Sequence, residues 1–482
     1  MANFTHRAAL LLLAAATSAG SGLAFAQTTA VKPDPPPIVC IGSNCVSAPA
    51  SAAASGSGTG GTTGTSTGTG IKWHPGAYLD SQVFTSVGNL NTANKAAEIA
   101  FLHTNPAAVK GYEAYYFWPV FENNSQGVYD FSALDADYVK ATGYVSGKTT
   151  GAVYTDPRRF AIYMLQTDYF DANPLDRCLP AYIGASSAYG PVGPDGTHYG
   201  YWTATGSGGT GTGSVIAFWR ASVMNRYIAL FKAMATHVLP DGYTVDTSPY
   251  VEWVKTHLET ADTPQGSNDS TFSSGAYVAQ LQALNSAMAA AFPHTTYVTP
   301  ANYTGPTGNE DVTLVNSLTA VRSAVGGPDV FGASSGTNVP TSGGLAGLTF
   351  GQAAYIGLKP PSSSVNPFFN AWSSGGTDHR GSFPYVATIQ CTEMVSACGI
   401  HYTPSDLFQQ ANGTLKATHI AWSYIVAGQY SGLTTDSVWL GSASSISNWS
   451  ASSSGGVLAQ IVNAPVTNTS CPSSYTAGCN TQ

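Results

Sequence analysis

The chain has 482 residues, of which 9% are charged and 11% aromatic, and its formal net charge is −8. An ordinary soluble domain is about 25% charged, so the exposed surface here must be built largely from Ser, Thr, Gly, Asn and Tyr. So little positive charge argues against nucleic acid or an anionic membrane as partner. No stretch beyond the N-terminus has the roughly 20 apolar residues that a membrane-inserted helix needs.

Arg7, the apolar run "AALLLLAAA" and then "LAFAQ" fit a signal peptide over residues 1 to 26, cleaved after Ala24-Phe25-Ala26. A secreted or periplasmic protein is expected. Loss of Arg7 leaves 17 basic residues against 26 acidic ones. The seven cysteines agree with export. Three close pairs, Cys40 with Cys45, Cys391 with Cys398 and Cys471 with Cys479, are candidate disulfides, and Cys178 is left as a buried thiol. A metal site is the rival reading, but no pair has CxxC spacing or a nearby His cluster. Neither a metal nor a cofactor is expected.

Residues 27 to 70 hold "VKPDPPP" and "SGSGTGGTTGTSTGTG", which have nothing to bury and are expected to form a flexible linker. Residues 441 to 482 form a Ser/Thr-rich tail, in which the last cysteine pair marks a small packed appendage.

Between 71 and 440, strand-like and helical runs alternate. The first strand is expected around "HPGAYLDS" and the second at "VKGYEAYYFW", followed by the helix "FSALDADYVKATGYV". The third strand, "RRFAIYMLQTD", precedes a helix with Val223, Tyr227, Leu230, Phe231 and Met234 on one stripe. The fourth is "YVEWVKTHLET", followed by "GAYVAQLQALNSAMAAAF". The fifth is "TTYVTPANY", followed by "DVTLVNSLTAVRSAV", and the sixth is "DVFGAS". The seventh is "FPYVATIQCTE", then the helix "PSDLFQQANGTLKA", and the eighth is "THIAWSYIVA". Eight such units predict an α/β fold, a (β/α)8 TIM barrel with insertions. An open doubly wound sheet competes, but no Gly-rich phosphate loop follows the first strand. In a barrel the chemistry belongs at the C-terminal ends of the strands.

After the second strand, Trp118, Phe121-Glu122, Gly127, Tyr129-Asp130-Phe131 and Asp135 resemble the "W…E…G.YDFS..D" stretch of retaining (β/α)8 glycoside hydrolases of clan A. Ser132 and Asp135 also form an S-x-x-D helix cap on their own. The resemblance implies an acid/base Glu ending strand four and a nucleophilic Glu ending strand seven. Glu259 falls in the fourth window, where Leu258 stands in place of the usual Asn, and it shares a face with His257, Lys255 and Trp253. Glu393 is the carboxylate of the seventh window, inside a loop that a Cys391–Cys398 bridge would close. Strict alternation, however, puts Glu393 with Tyr385, Ala387 and Ile389 on the helix-facing side, and Thr388 and Gln390 inside. If position 388 or 390 is the true nucleophile position, the protein is a binding-only relative.

Retaining hydrolysis needs one protonated carboxyl to donate to the leaving oxygen and an ionised one about 5 to 5.5 Å away to attack the anomeric carbon. Trp73, His74, Trp118, Asp168, Asn302, Tyr303, Trp422 and Tyr424 are candidate sugar contacts, supplying aromatic faces and neutral hydrogen-bonding groups. High aromatic and low charged content favours a neutral poly- or oligosaccharide, bound by a monomer. "DHRG" at 378–381 could add His379 or Arg380. "GASSG" at 332–336 matches a nucleophile elbow, but loop follows it where an elbow needs a helix. Two functions stay open: a glycosidase acting through Glu259 and Glu393, or a catalytically degenerate glycan-binding or scaffold protein on the same barrel.

Overall fold

The structure is a computed structural model. It describes residues 38–41, 44–47, 70–80, 99–100, 102–104, 109–146, 153–165, 167–168, 175, 178–204, 213–256, 269–300, 309–318, 321–329, 383–389, 404–423, 461 and 464–481.

Eight parallel strands close into a barrel in chain order. They are β1 (Gly76–Asp80), β2 (Val109–Phe117), β3 (Arg159–Leu165) and β4 (Val251–Lys255), then β5 (Thr296–Pro300), β6 (Ala324–Asp329), β7 (Tyr385–Ile389) and β8 (His419–Ser423). The ring shuts where β8 pairs with β1, from His419 opposite Gly76 to Ser423 opposite Asp80. A closed sheet has no edge, which excludes the doubly wound alternative.

Side-chain alternation explains why these runs become strands. Tyr78, Ala161, Trp253, Val298, Ala324 and Val386 pack together in the lumen. Their outward neighbours, among them Leu79, Ile162, Val254 and Ala387, join the larger core beneath the helices. The helices of the described residues include α1 (Ser132–Thr142), α2 (Ala221–Thr236), α3 (Ser274–Ala291), α4 (Asn309–Ser317) and α5 (Pro404–Phe408). All five residues of the expected α2 stripe are buried. The cap of α1 differs from expectation. Asp130 Oδ1 accepts from Ser132 N at 2.9 Å, while Ser132 itself opens the helix.

The sixth strand begins earlier than its sequence suggested. The sequence pattern places "SAV" in the preceding helix, but α4 stops at Ser317, and Arg322 has a left-handed φ of 56°. That conformation ends any helix, and Ala324 and Val325 become the inward and outward residues of β6.

Residues Ala16–Gly64 form a unit of their own. Within it, Ile38–Ile41 and Asn44–Ser47 pair antiparallel with Cys40 opposite Cys45. Cys391 and Cys398 lie outside the described residues, and Cys178 is buried without a disulfide.

The C-terminal segment, expected as an appendage, packs under the N-terminal end of the barrel. Cys479–Asn480 pairs in parallel with Ile71–Lys72 just before β1. Trp73 Nε1 donates to the Thr469 carbonyl at 2.9 Å, and the Tyr475 hydroxyl meets Thr296 Oγ1 of β5 at 2.7 Å. A Cys471–Cys479 disulfide closes this segment on itself. Beside it, buried Lys72 donates to the carbonyls of Asp246 and Ser248, each at 2.8 Å. Burial drives its pKa down to about 7, against the opposing pull of Asp246 and Glu252.

Two stability predictions follow from this closure. Replacing Cys471 and Cys479 together by Ser removes a short cross-linked loop and should lower the unfolding free energy by about 2.5 kcal/mol in denaturant titrations. Between pH 7 and about 10.4 the unfolded chain holds the Lys72 proton and the folded protein does not, so stability should rise with pH across that window. Lys72→Met should flatten that rise, and a melting series from pH 6.5 to 10 measures it.

Candidate active site

Near the C-terminal ends of the strands, the lumen changes from apolar to polar. Asp80 ends β1, and the Tyr115 hydroxyl of β2 donates to it. The Tyr115 ring lies 4.4 Å from that of Tyr163 on β3. Lys255, which ends β4, places its ammonium 4.0 Å above the Tyr163 ring and donates to Thr388 Oγ1 of β7 at 3.0 Å. A continuous chain of contacts thus crosses the barrel from β1 to β7. Burial, reinforced by the Asp80 charge, pushes the Tyr115 phenol well above its usual pKa, so it acts as a fixed donor.

One layer lower, Glu113 Oε1 accepts from Trp253 Nε1 at 2.7 Å, whereas Glu113 Oε2 is buried with no hydrogen-bond partner among the described residues. Burial raises the Glu113 pKa, and the Lys255 charge and the Trp253 hydrogen bond oppose the rise. Trp253 also meets Tyr78 at 4.4 Å and His419 at 5.3 Å. Tyr78, Trp253 and His419 fill the lumen beneath the polar layer.

The predicted site residues separate into groups. Glu259 and His257, Glu393 and Gln390, Asn302, Tyr303 and Tyr424 lie outside the described residues, as do His379, Arg380 and "GASSG". Both ends of the segment carrying Glu259 are nevertheless fixed. Thr256 N donates to the Val298 carbonyl at 3.1 Å. Across the gap, the Asp269 carboxylate accepts from Arg220 at 2.7 Å, Trp219 Nε1 at 2.8 Å and Thr271 N at 2.8 Å. Asp168 lies past the end of β3, in a three-stranded sheet where it is paired with Ser214.

Four candidates are placed away from the strand ends or sealed off from ligand. Trp73 and His74 precede β1, so they sit at the N-terminal end of the barrel, where Trp73 is buried under the C-terminal segment. Trp118 is fully buried, with its ring stacked on Phe218 at 6.3 Å and its Nε1 donating to Glu122 Oε2 at 3.0 Å. Trp422 is buried and faces the helices, because its β8 neighbour Ala421 takes the register position opposite inward Tyr78. None of these three indoles offers a face to a sugar.

The "W…E…G" motif has a structural basis. Glu122 is buried, and beyond Trp118 it accepts from Gly127 N at 2.6 Å and from Arg226 of α2 at 2.5 Å. This carboxylate folds the turn between β2 and α1 and pins it to α2. Sequence reasoning missed Asp80, Glu113, Tyr115 and Tyr163. Inward parity on "GAYLD" and "VKGYEAYYF" was the available signal, because once Tyr78 faces the lumen, Asp80 faces it as well.

The fold is a (β/α)8 barrel. No protein-family model matches the chain, and no curated protein matches it in sequence. Among solved structures it is similar to endo-glycoceramidase II from Rhodococcus sp. In the ganglioside GM3 complex the identity is 12% over 73% of each chain, with a TM-score of 0.38. In the complex with a cellobiose-like imidazole it is 13% over 73% of each chain, with a TM-score of 0.37.

Because Glu113 is held with a raised pKa, the folded state binds more protons than the unfolded chain above the ordinary carboxyl range. Its contribution to stability should therefore fall as pH rises from about 4.5. Glu113→Gln keeps the acceptor for Trp253 and should remove that decline, so the variant's stability should change less with pH than that of the unmutated protein. Urea titrations from pH 4.5 to 8 on both proteins measure it.

Proposed function

We propose that this protein is an exported glycoside hydrolase that cleaves a neutral poly- or oligosaccharide with retention, Glu259 serving as acid/base and Glu393 as nucleophile. The observation that carries the proposal is the position of the polar lumen layer. It lies at the C-terminal ends of a closed (β/α)8 barrel, on β4 and β7 among others, and the chain continues from those two strands into "HLETAD" and "QCTEMVSAC". Export is supported by the N-terminal signal pattern and by the Cys471–Cys479 disulfide, a bond at home in oxidising compartments. No helix among the described residues is long and apolar enough to cross a membrane.

A second proposal, glycan binding without turnover, is favoured by one observation. The inward residue of β7 at the polar layer is Thr388, and it is already engaged by Lys255.

The test uses the purified protein and a panel of neutral polysaccharides, with the anomeric configuration of the product followed by NMR. Hydrolysis with retention is expected. Glu259→Ala should lose about 10²–10⁴-fold in kcat, and Glu393→Ala at least as much, each with partial rescue by azide. Full activity in both variants would sink the assignment, and binding without turnover in the unmutated protein would favour the second proposal.

A further inference from the structure

Just past the end of β3, Thr167–Asp168 pairs with Gly213–Ile216, which in turn pairs with Tyr201–Ala204. This small sheet therefore stands at the C-terminal end of the barrel, where the sites of this fold lie. With strands about 4.8 Å apart, its outer strand is roughly 10 Å to the side of the line of β3. Alternation gives the sheet two faces. Tyr201 and its register partner Ile216 belong to one, and Trp202 and its partner Val215 to the other. The Tyr201 face is covered by the turn that the Val192–Tyr199 bridge closes. The Tyr201 hydroxyl accepts from Asp195 N in that turn at 3.1 Å, and a Cβ added at Gly193 would collide with the Tyr201 ring. On the opposite face Val215 is buried, whereas Trp202 packs against the core and remains partly exposed.

Trp202 differs from the other indoles of the described residues. Trp73, Trp118, Trp219 and Trp253 are buried, and each donates its Nε1, to the Thr469 carbonyl, Glu122, Asp269 and Glu113 respectively. Trp422 is buried as well. Trp202 Nε1 has no hydrogen-bond partner among the described residues, and its ring meets no other ring there. An indole with an apolar body and a donor left for solvent is the kind found at recognition surfaces. Those two groups set the ligand chemistry. A pyranose ring offers a C–H face that packs on an aromatic ring, and hydroxyls at its rim that accept from an N–H. The strands Tyr201–Ala204 and Gly213–Ile216 contain no charged residue, so nothing in them would pair with an ionic ligand. We infer, on the reading above that the ligand is a neutral glycan, that Trp202 is a glycan-contact residue beside the barrel mouth, its ring stacking on one sugar unit and its Nε1 donating to a hydroxyl. The role is the same whether the glycan is hydrolysed or only bound.

The experiment titrates the full chain calorimetrically with soluble mixed-linkage β-glucan, arabinoxylan and galactomannan, and melting curves confirm that each variant folds. For the polymer that binds, Trp202→Ala should raise Kd about 10-fold, and Trp202→Phe, which keeps a ring and loses the donor, should fall between Ala and the unmutated protein. If that polymer is also hydrolysed, the loss should appear in KM rather than in kcat, as expected of a contact made equally in the ground and transition states. A second measurement needs no variant. Oxidation of the unmutated protein with N-bromosuccinimide, mapped by peptide mass, should reach Trp202 before the five buried indoles, and bound polymer should protect it. A folded Trp202→Ala with unchanged Kd overturns this inference and leaves the glycan reading standing. Should Trp202→Ala fail to fold, the oxidation decides, and a Trp202 that bound polymer leaves unprotected overturns the inference. Binding of none of the three polymers by the unmutated protein overturns the neutral-glycan reading and this inference with it.

Discussion

A single buried carboxylate holds the seam on which the barrel depends. Glu252 of β4 accepts from the backbone N of His74 on Oε1 at 2.6 Å and pairs with His74 Nδ1 through Oε2 at 2.7 Å, and His419 Nε2 lies 3.4 Å from the same Oε1. His74 leads into β1 and His419 opens β8, so this one group joins the two strands whose pairing closes the ring to the strand opposite. Burial alone would raise the Glu252 pKa, but the charge of His74 and the contacts from both imidazoles hold it well below the usual range. A register shift between Val251 and Trp253 accompanies its inward position. Removing either partner would leave a buried charge uncompensated, which in general costs about 3–5 kcal/mol.

Closure at that end divides the lumen into two halves with different tasks. The N-terminal half is stoppered by Trp73, Tyr475 and the disulfide-closed segment. Trp253, packed against Tyr78 and His419, separates it from the polar layer above. The requirement to fill a closed barrel with side chains places bulk below and leaves hydrogen-bonding groups for the mouth. Asp80, Tyr115, Tyr163, Lys255 and Thr388 occupy that upper layer because each is the last inward residue, or nearly so, of its strand.

The motif that carries the family resemblance turns out to act on the fold before it acts on any substrate. Trp118, Gly127 and Arg226 all converge on Glu122, and these hydrogen bonds, the one from Arg226 being also an ion pair, fold the β2–α1 turn. A pattern that organises a loop can be shared by barrels with different chemistry.

The sequence alone determined the barrel. Eight alternating runs, their order and the amphipathic stripe of α2 are local properties of period 2 and period 3.6, and these survive into the structure at nearly every element. The exception, β6, hung on the left-handed backbone of Arg322, which composition does not announce. Alternation also foretold that Thr388 would face inward on β7. What alternation could not supply was distance. That Lys255 meets Thr388, that Glu252 meets His74 and His419, and that the segment around Cys471–Asn480 packs beneath β1 are contacts between segments far apart in the chain. They exist only because a closed ring brings strand four to strands one, seven and eight. The indoles show the same division: Trp73, Trp118 and Trp422 read alike in sequence as possible sugar platforms, and only the tertiary structure, by burying each against a different neighbour, made them core.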